Sequence, residues 1–255
     1  MKDFLVALGI ILMILPVLLY VREIVRKEKV LFVPIVGEID SFSGKIYAEA
    51  LKEGKDERYE IIVLEVDSPG GTYSGIIDVI NAIKGLKEEN KTVLCYVKEA
   101  LSGAYWIASY CDRIFAEEGA LVGNIGVSAS FINLHGLFQR FNISYIEIYN
   151  GSLKEMGNPF KQPAPEEIER LKEIVNKLYE NFLSSVAANR NLTAEEVKEI
   201  KTSNIFLAPE AIKMHLVDEI GNLDSIEEYI KQKFNKKEIE FVYPRIFIEL
   251  ARGSI

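Results

Sequence analysis

Apolar residues run unbroken from Phe4 to Val21 (FLVALGIILMILPVLLYV), eighteen positions without a charge. As a helix at about 1.5 Å per residue this stretch would reach roughly 27 Å, close to the hydrocarbon thickness of a bilayer. Pro16 is tolerable inside such a helix, where neighbouring groups re-satisfy the freed backbone. The run exceeds a usual signal-peptide core, and no small-x-small cleavage site follows, only Arg22, Glu23, Ile24, Val25, Arg26 and Lys27. A core helix would show a polar stripe, and none is present. The pattern therefore predicts an uncleaved single-pass anchor, with residues 1–29 as anchor and stalk.

Beyond the stalk the periodicity changes. Val30–Ile39 and Ile61–Val66 are short, β-branched apolar runs that read as strands, and Thr92–Val97 and Ser144–Tyr149 read the same way. Tyr73–Leu86 instead repeats apolar residues at Ile76, Ile77, Val79, Ile80 and Ile83, one face of a helix. Pro165–Asn189 carries Ile168, Leu171, Ile174, Val175, Leu178 and Phe182 at helical spacing after the start signal Pro163-Ala164-Pro165. Thr193-x-x-Glu196 has the form of a capping box that opens one more helix. The alternation of strands and helices predicts an α/β fold with much parallel pairing, and residues 30–255 read as one domain.

Composition narrows the function. Of 255 residues, 38 are acidic and 30 are Lys or Arg, a formal charge of -8 that argues against nucleic acid as partner. Two cysteines, Cys95 and Cys111, exclude a disulfide scaffold, and with two histidines, His135 and His215, no histidine-rich metal site is expected.

Three loops interrupt the pattern at the ends of expected strands, where ligands of open α/β sheets bind. The first is Asp67-Ser68-Pro69-Gly70-Gly71, whose glycines allow backbone amides to approach an anion; alone it is also an ordinary strand-to-helix turn. The second is Ala100-Leu101-Ser102-Gly103-Ala104-Tyr105, which puts Ser102 at a helix start, as a nucleophile or simply as the cap. No G-x-S-x-G motif accompanies it, so the usual hydrolase elbow is not indicated. The third is Gly123-Asn124-Ile125-Gly126-Val127, followed downstream by Asn150-Gly151-Ser152-Leu153-Lys154.

A nucleophilic serine needs a base. His135 and His215 are candidates in principle, though each reads more simply as structural; a lysine can serve instead, provided it is neutral. At an unperturbed pKa near 10.4 only about one lysine in 2,500 is neutral at pH 7, and closing that gap takes roughly 4.6 kcal/mol of burial against the charged form. A lysine base therefore implies a dry site, and an apolar substrate helps to dry it.

Together these segments resemble the signal peptide peptidase A family, membrane-anchored Ser-Lys peptidases that share the fold of Clp protease and crotonase. The resemblance runs from about Val30 to Leu223. It rests on Asp67-Ser-Pro-Gly-Gly71, on Ser102-Gly-Ala-Tyr-Trp-Ile-Ala108 with Cys111-Asp-Arg-Ile-Phe-Ala116, and on Gly123-Asn-Ile-Gly-Val127. Gly151-Ser-Leu-Lys154 running into Asn158-Pro-Phe160, and Ala211–Gly221 near the end, complete it. It implies an α/β fold with a repeated ββα core, Ser102 as nucleophile, Lys154 as general base, and the N–H groups of Gly71 and Gly103 as oxyanion hole. Gly70 is the less favoured donor.

It also implies peptide substrates such as residual signal peptides, no cofactor, and a homo-oligomer in which serine and lysine come from neighbouring protomers. Two positions depart from the pattern: Asn124 stands where the family has serine, and Gly103-Ala104 replaces a glycine pair. The resemblance places the domain outside the cytoplasm, whereas Arg22, Arg26, Lys27 and Lys29 after the span favour the inside. Alternatives are a related Ser-Lys membrane peptidase encoded beside stomatin-like proteins, acyl-CoA chemistry on the same fold, and an inactive scaffold. The absence of extra spans and of a C-terminal barrel, the anchor, and the Ser102/Lys154 pairing count against them in turn.

Overall fold

The structure is a computed structural model that describes residues 27–253. The expected anchor, Phe4–Val21, lies outside the described residues; within them no helix is long and apolar enough to cross a membrane. The chain forms two compact units. One comprises the residues up to Gly123 and from Ile205 onward, the other Asn124–Asn204.

The first unit is built on β1 (Glu28–Val36), α1 (Ser41–Lys52), β2 (Ile61–Ser68), α2 (Tyr73–Glu88), β3 (Thr92–Leu101), α3 (Gly103–Ser109) and β4 (Arg113–Gly123). With β5 (Ile205–Leu207), β6 (Glu219–Ile220) and β7 (Ile239–Val242), the sheet runs β5-β4-β3-β2-β1-β7, with the short β6 also against β4. Neighbours are parallel except β4 and β5 (Ile205–Leu207), which are antiparallel. Parallel strands bury both faces, which explains why Ile61, Ile62, Val63 and Leu64 are all fully buried instead of alternating. Pro34, which has no N–H to give, sits beyond Leu31, the last β1 residue paired to β7 (Ile239–Val242).

One face of the sheet, Val30, Phe32, Ile61, Val63, Leu94, Tyr96 and Phe115, packs on Ile226 and Ile230 of α8 (Leu223–Lys233). Right-handed crossovers between successive parallel strands put α1, α2 and α3 on the opposite face. There α2 contributes Ile76, Val79, Ile80, Ile83 and Leu86, all buried. Asp40 caps α1 by accepting from the N–H groups of Phe42 and Ser43 (2.8 and 2.7 Å), and the Ser43 bonds hold its carboxyl below the ordinary aspartate range. After β5 come α7 (Ala208–Lys213) and β6 (Glu219–Ile220); the chain then passes through α8 and β7 to α9 (Arg245–Ala251).

The second unit holds α4 (His135–Arg140), α5 (Pro165–Arg190) and α6 (Ala194–Ile200). Pro165 occupies the first turn of α5 as expected, and Asn191 ends the helix in the left-handed conformation (φ 51°, ψ 44°). The capping box at Thr193 is formed: its N–H donates to Glu196 Oε2 at 2.7 Å, and its hydroxyl accepts from the Glu196 N–H at 3.3 Å. The expected strand Ser144–Tyr149 is a correction. The segment has no ladder partner among the described residues, and Ile146 and Ile148 are 82% and 97% exposed. Its alternating sequence suits a sheet, but no strand among the described residues pairs with it.

Candidate active site

Where β2 ends, the chain turns through Ser68-Pro69-Gly70-Gly71-Thr72 into α2, and Thr72 Oγ1 caps that helix through the Gly75 N–H (3.4 Å). The loop is stitched to the segment after β1: Ile39 N–H donates to the Gly70 carbonyl and Thr72 N–H to the Ile39 carbonyl, both at 2.8 Å. Gly70 N–H donates to the Oγ of the fully buried Ser68 at 3.1 Å. The Gly70 N–H is thereby engaged. The Gly71 N–H, by contrast, donates to no group among the described residues, and Gly71 is exposed.

β3 delivers Ser102 to a tight turn directly before α3. Its backbone has φ 52° and ψ -127°, a conformation L-residues rarely adopt, and its side chain makes no capping bond. The cap explanation for this serine therefore does not hold. The strained backbone is fixed from several sides. Ser102 N–H donates to the Gly123 carbonyl (2.8 Å), and its own carbonyl accepts from Trp106 N–H (3.2 Å). Gly70, at φ +106°, lies so close that a Cβ there would sit 2.9 Å from the Leu101 carbonyl oxygen, 2.9 Å from Ser102 Cβ and 3.0 Å from Gly103 N.

Gly103 in turn abuts α2, where a Cβ would meet Ile76 Cγ1 at 2.5 Å. Gly103 is buried, and as the first residue of α3 its N–H has no intrahelical acceptor and no other among the described residues. The half-buried Ser102 hydroxyl thus stands next to the Gly70-Gly71 loop, with the Gly71 and Gly103 amides free to receive developing negative charge.

The first unit brings together Ser102, Gly70, Gly71, Gly103 and the Gly123 carbonyl. Lys154 belongs to the second unit, where its N–H donates to the Gly151 carbonyl (3.0 Å) in a turn and its side chain is exposed. Around it, Asn158 Nδ2 donates to Tyr145 Oη (2.7 Å) and Glu147 Oε2 (3.2 Å), and Phe160 stacks on Phe138 with ring centroids 5.1 Å apart. The nearby Lys161 is not a competing base. Its ammonium is hydrogen-bonded to Glu167 Oε1 (2.7 Å), which pushes the lysine up and, with the Ala164 N–H, holds Glu167 below the ordinary glutamate range.

Asn124 shares the positive φ (51°) and donates its N–H to the Asn204 carbonyl. His135 N–H bonds Asn133 Oδ1 at the start of α4, and His215 closes α7 at φ 54°. Sequence reasoning did not single out the roles of Ser68 and Ile39. The signal for Ser68 was its place two residues before Gly70; that for Ile39 was the apolar run continuing past β1.

Residues 85–237 match the description of peptidase family S49. The chain belongs to peptidase family S49. This S49 peptidase is 31% identical over 203 residues to a Synechocystis sp. protein named as a protease, a match covering 80% of this chain and 73% of that protein. It is also 31% identical over 205 residues to an Enterococcus faecium protein named as signal peptide peptidase SppA, covering 77% of this chain and 60% of that protein. The S49 chain thus spans about three fifths of that longer relative. Its fold is similar to that of a mutant of the 1510-N membrane-bound stomatin-specific protease, with a TM-score of 0.55 at 16% identity over 86% of this chain and 98% of that one. As a member of S49 it is a serine peptidase.

Proposed function

We propose that this S49 chain is a membrane-anchored endopeptidase that cuts apolar, unfolded segments such as residual signal peptides, with Ser102 and Lys154 as its dyad. The observation that carries this reading is the turn at Ser102: a strained backbone, a hydroxyl unused for capping, and, next to it and on the adjoining loop, the Gly103 and Gly71 amides without an acceptor among the described residues. Neutral Lys154 takes the hydroxyl proton as Oγ bonds to the peptide carbonyl carbon, and the Gly71 and Gly103 amides receive the oxyanion. The C–N bond then breaks and the amine leaves with the proton from Lys154. Water repeats the sequence to release the acyl group, its proton passing to Lys154 and back to Ser102 Oγ.

Lys154 is exposed in the single chain, and a base of this kind must be shielded from water. The apolar side chains exposed on its unit, Ile132, Ile146 and Ile148, favour a second copy of the chain covering this region, with the dyad completed between protomers. In this reading residues 1–29 form anchor and stalk, 30–255 the peptidase domain outside the cytoplasm, on the Clp protease/crotonase plan. The Enterococcus relative, named for signal peptide cleavage, supports the substrate class.

The test is cleavage of an apolar signal-like peptide by the full chain in detergent. Ser102→Ala and Lys154→Ala should each be inactive, and mixing the two should restore part of the activity. Full activity in Lys154→Ala removes the lysine from the mechanism. Full activity in Ser102→Ala overturns the whole scheme.

A further inference from the structure

β3 carries one residue more than β2 can pair, at a point where β4 breaks register as well. Against β2 the register runs Val66↔Val97 and then Asp67↔Glu99; against β4 it runs Val97↔Ala116 and then Glu99↔Leu121. Lys98 is skipped on both sides, a β-bulge four residues before Ser102.

An extra residue reverses which face every later side chain takes. Up to the bulge, Leu94 and Tyr96 face α8, while Cys95 and Val97 are buried toward the crossover helices. Counted straight on from Tyr96, Ala100 would also face α8. With Lys98 inserted, Ala100 instead pairs with Ser68, and both are fully buried. The strand end that leads into Ser102 and Gly103 is thus turned to the side of Gly70 and of Ile76 on α2, where the two loops meet.

Polar side chains hold the break on both flanks. The Lys98 ammonium pairs with Glu65 on β2 and lies 5.6 Å over the Tyr96 ring, and Tyr96 Oη donates to Glu117, one of the residues β4 inserts between Ala116 and Leu121. The Glu65 side chain is 15% exposed, so the pair is more sheltered than a free surface bridge. Its hydrogen bond to Glu65 raises Lys98 above the ordinary lysine range.

We propose that Lys98 is a positioning residue: its pair with Glu65 pins the extra residue of β3 and so fixes the face on which Ser102 emerges. This rests on Ser102 being the nucleophile. The test is the rate at which a fluorophosphonate probe labels the full chain in detergent, the serine oxygen bonding to phosphorus as fluoride leaves and the serine proton passes to the base. Labelling is read beside kcat, KM and Tm for wild type, Lys98→Met, Lys98→Arg and the exchange Lys98→Glu with Glu65→Lys.

Lys98→Met should be labelled about 100-fold more slowly, the scale of a 1 Å misplacement of a reacting group, with kcat lowered and KM and Tm unchanged. Lys98→Arg and the exchanged pair should recover most of the rate. Wild-type labelling by Lys98→Met overturns the proposal, as does a loss that follows a fall in Tm and is not recovered by the exchange. A wild-type chain that the probe does not label at Ser102 overturns the nucleophile assignment instead, which keeps the two failures distinct.

Discussion

Replacing Gly70 by alanine probes the contact between the two loops directly. The new Cβ would sit 2.9 Å from the Leu101 carbonyl oxygen, 2.9 Å from Ser102 Cβ and 3.0 Å from Gly103 N, all atoms fixed by the backbone. At φ +106° it would also carry the strain of a left-handed L-residue. Overpacking and backbone strain together cost about 2–5 kcal/mol, a fall in Tm of roughly 5–20 °C for a chain of this size. Because the displaced atoms belong to the turn that carries the proposed nucleophile, peptide cleavage should fall about 100-fold or more, as expected for a shift near 1 Å. Gly37 is the control, since it has φ +77° but nothing within 4 Å of its added Cβ. Gly37→Ala should lose only about 1–2 kcal/mol and keep its activity. The assay is cleavage of an apolar peptide at a temperature where both variants are folded by circular dichroism. Equal activity in Gly70→Ala and wild type, or equal loss in Gly37→Ala, would refute the contact as the reason for this glycine.

Ser68→Ala leaves the Gly70 N–H without its acceptor in a buried turn, and urea unfolding should show a loss of about 1–3 kcal/mol. No loss would mean that water or another group replaces the hydroxyl. The Glu167–Lys161 pair makes the second unit acid-sensitive. With Glu167 held below its ordinary 4.5, the stabilisation is complete above that pH and is lost as pH falls through the lowered value. Protection from hydrogen exchange in 158–170 should therefore fall as the pH drops below the ordinary glutamate range, and Glu167→Gln should flatten that dependence; an identical profile in the variant would contradict it.

The core strands were readable because parallel sheets need unbroken apolar runs, as at Ile61–Leu64, and α2 because Ile76, Val79, Ile80 and Ile83 share one face. Ser144–Tyr149 had the same local pattern without a partner strand among the described residues, and pairing is a property of neighbours, not of a segment. At the candidate site, the loops themselves could be picked out from their residues but their arrangement could not. Whether Ser102 caps its helix depends on a backbone angle, and Gly70's engagement depends on where Ser68 points. The bulge at Lys98 left only a faint trace, the charged Lys98-Glu99 inside an otherwise apolar strand.

The most direct measurement is to find which residue of the full chain becomes covalently modified when a fluorophosphonate abolishes peptide cleavage. Digestion and mass spectrometry should place the adduct on Ser102, in the peptide that continues into Gly103-Ala104-Tyr105, with one adduct per active chain. An adduct on another serine, or undiminished cleavage with Ser102 fully modified, would contradict a peptidase built on this turn.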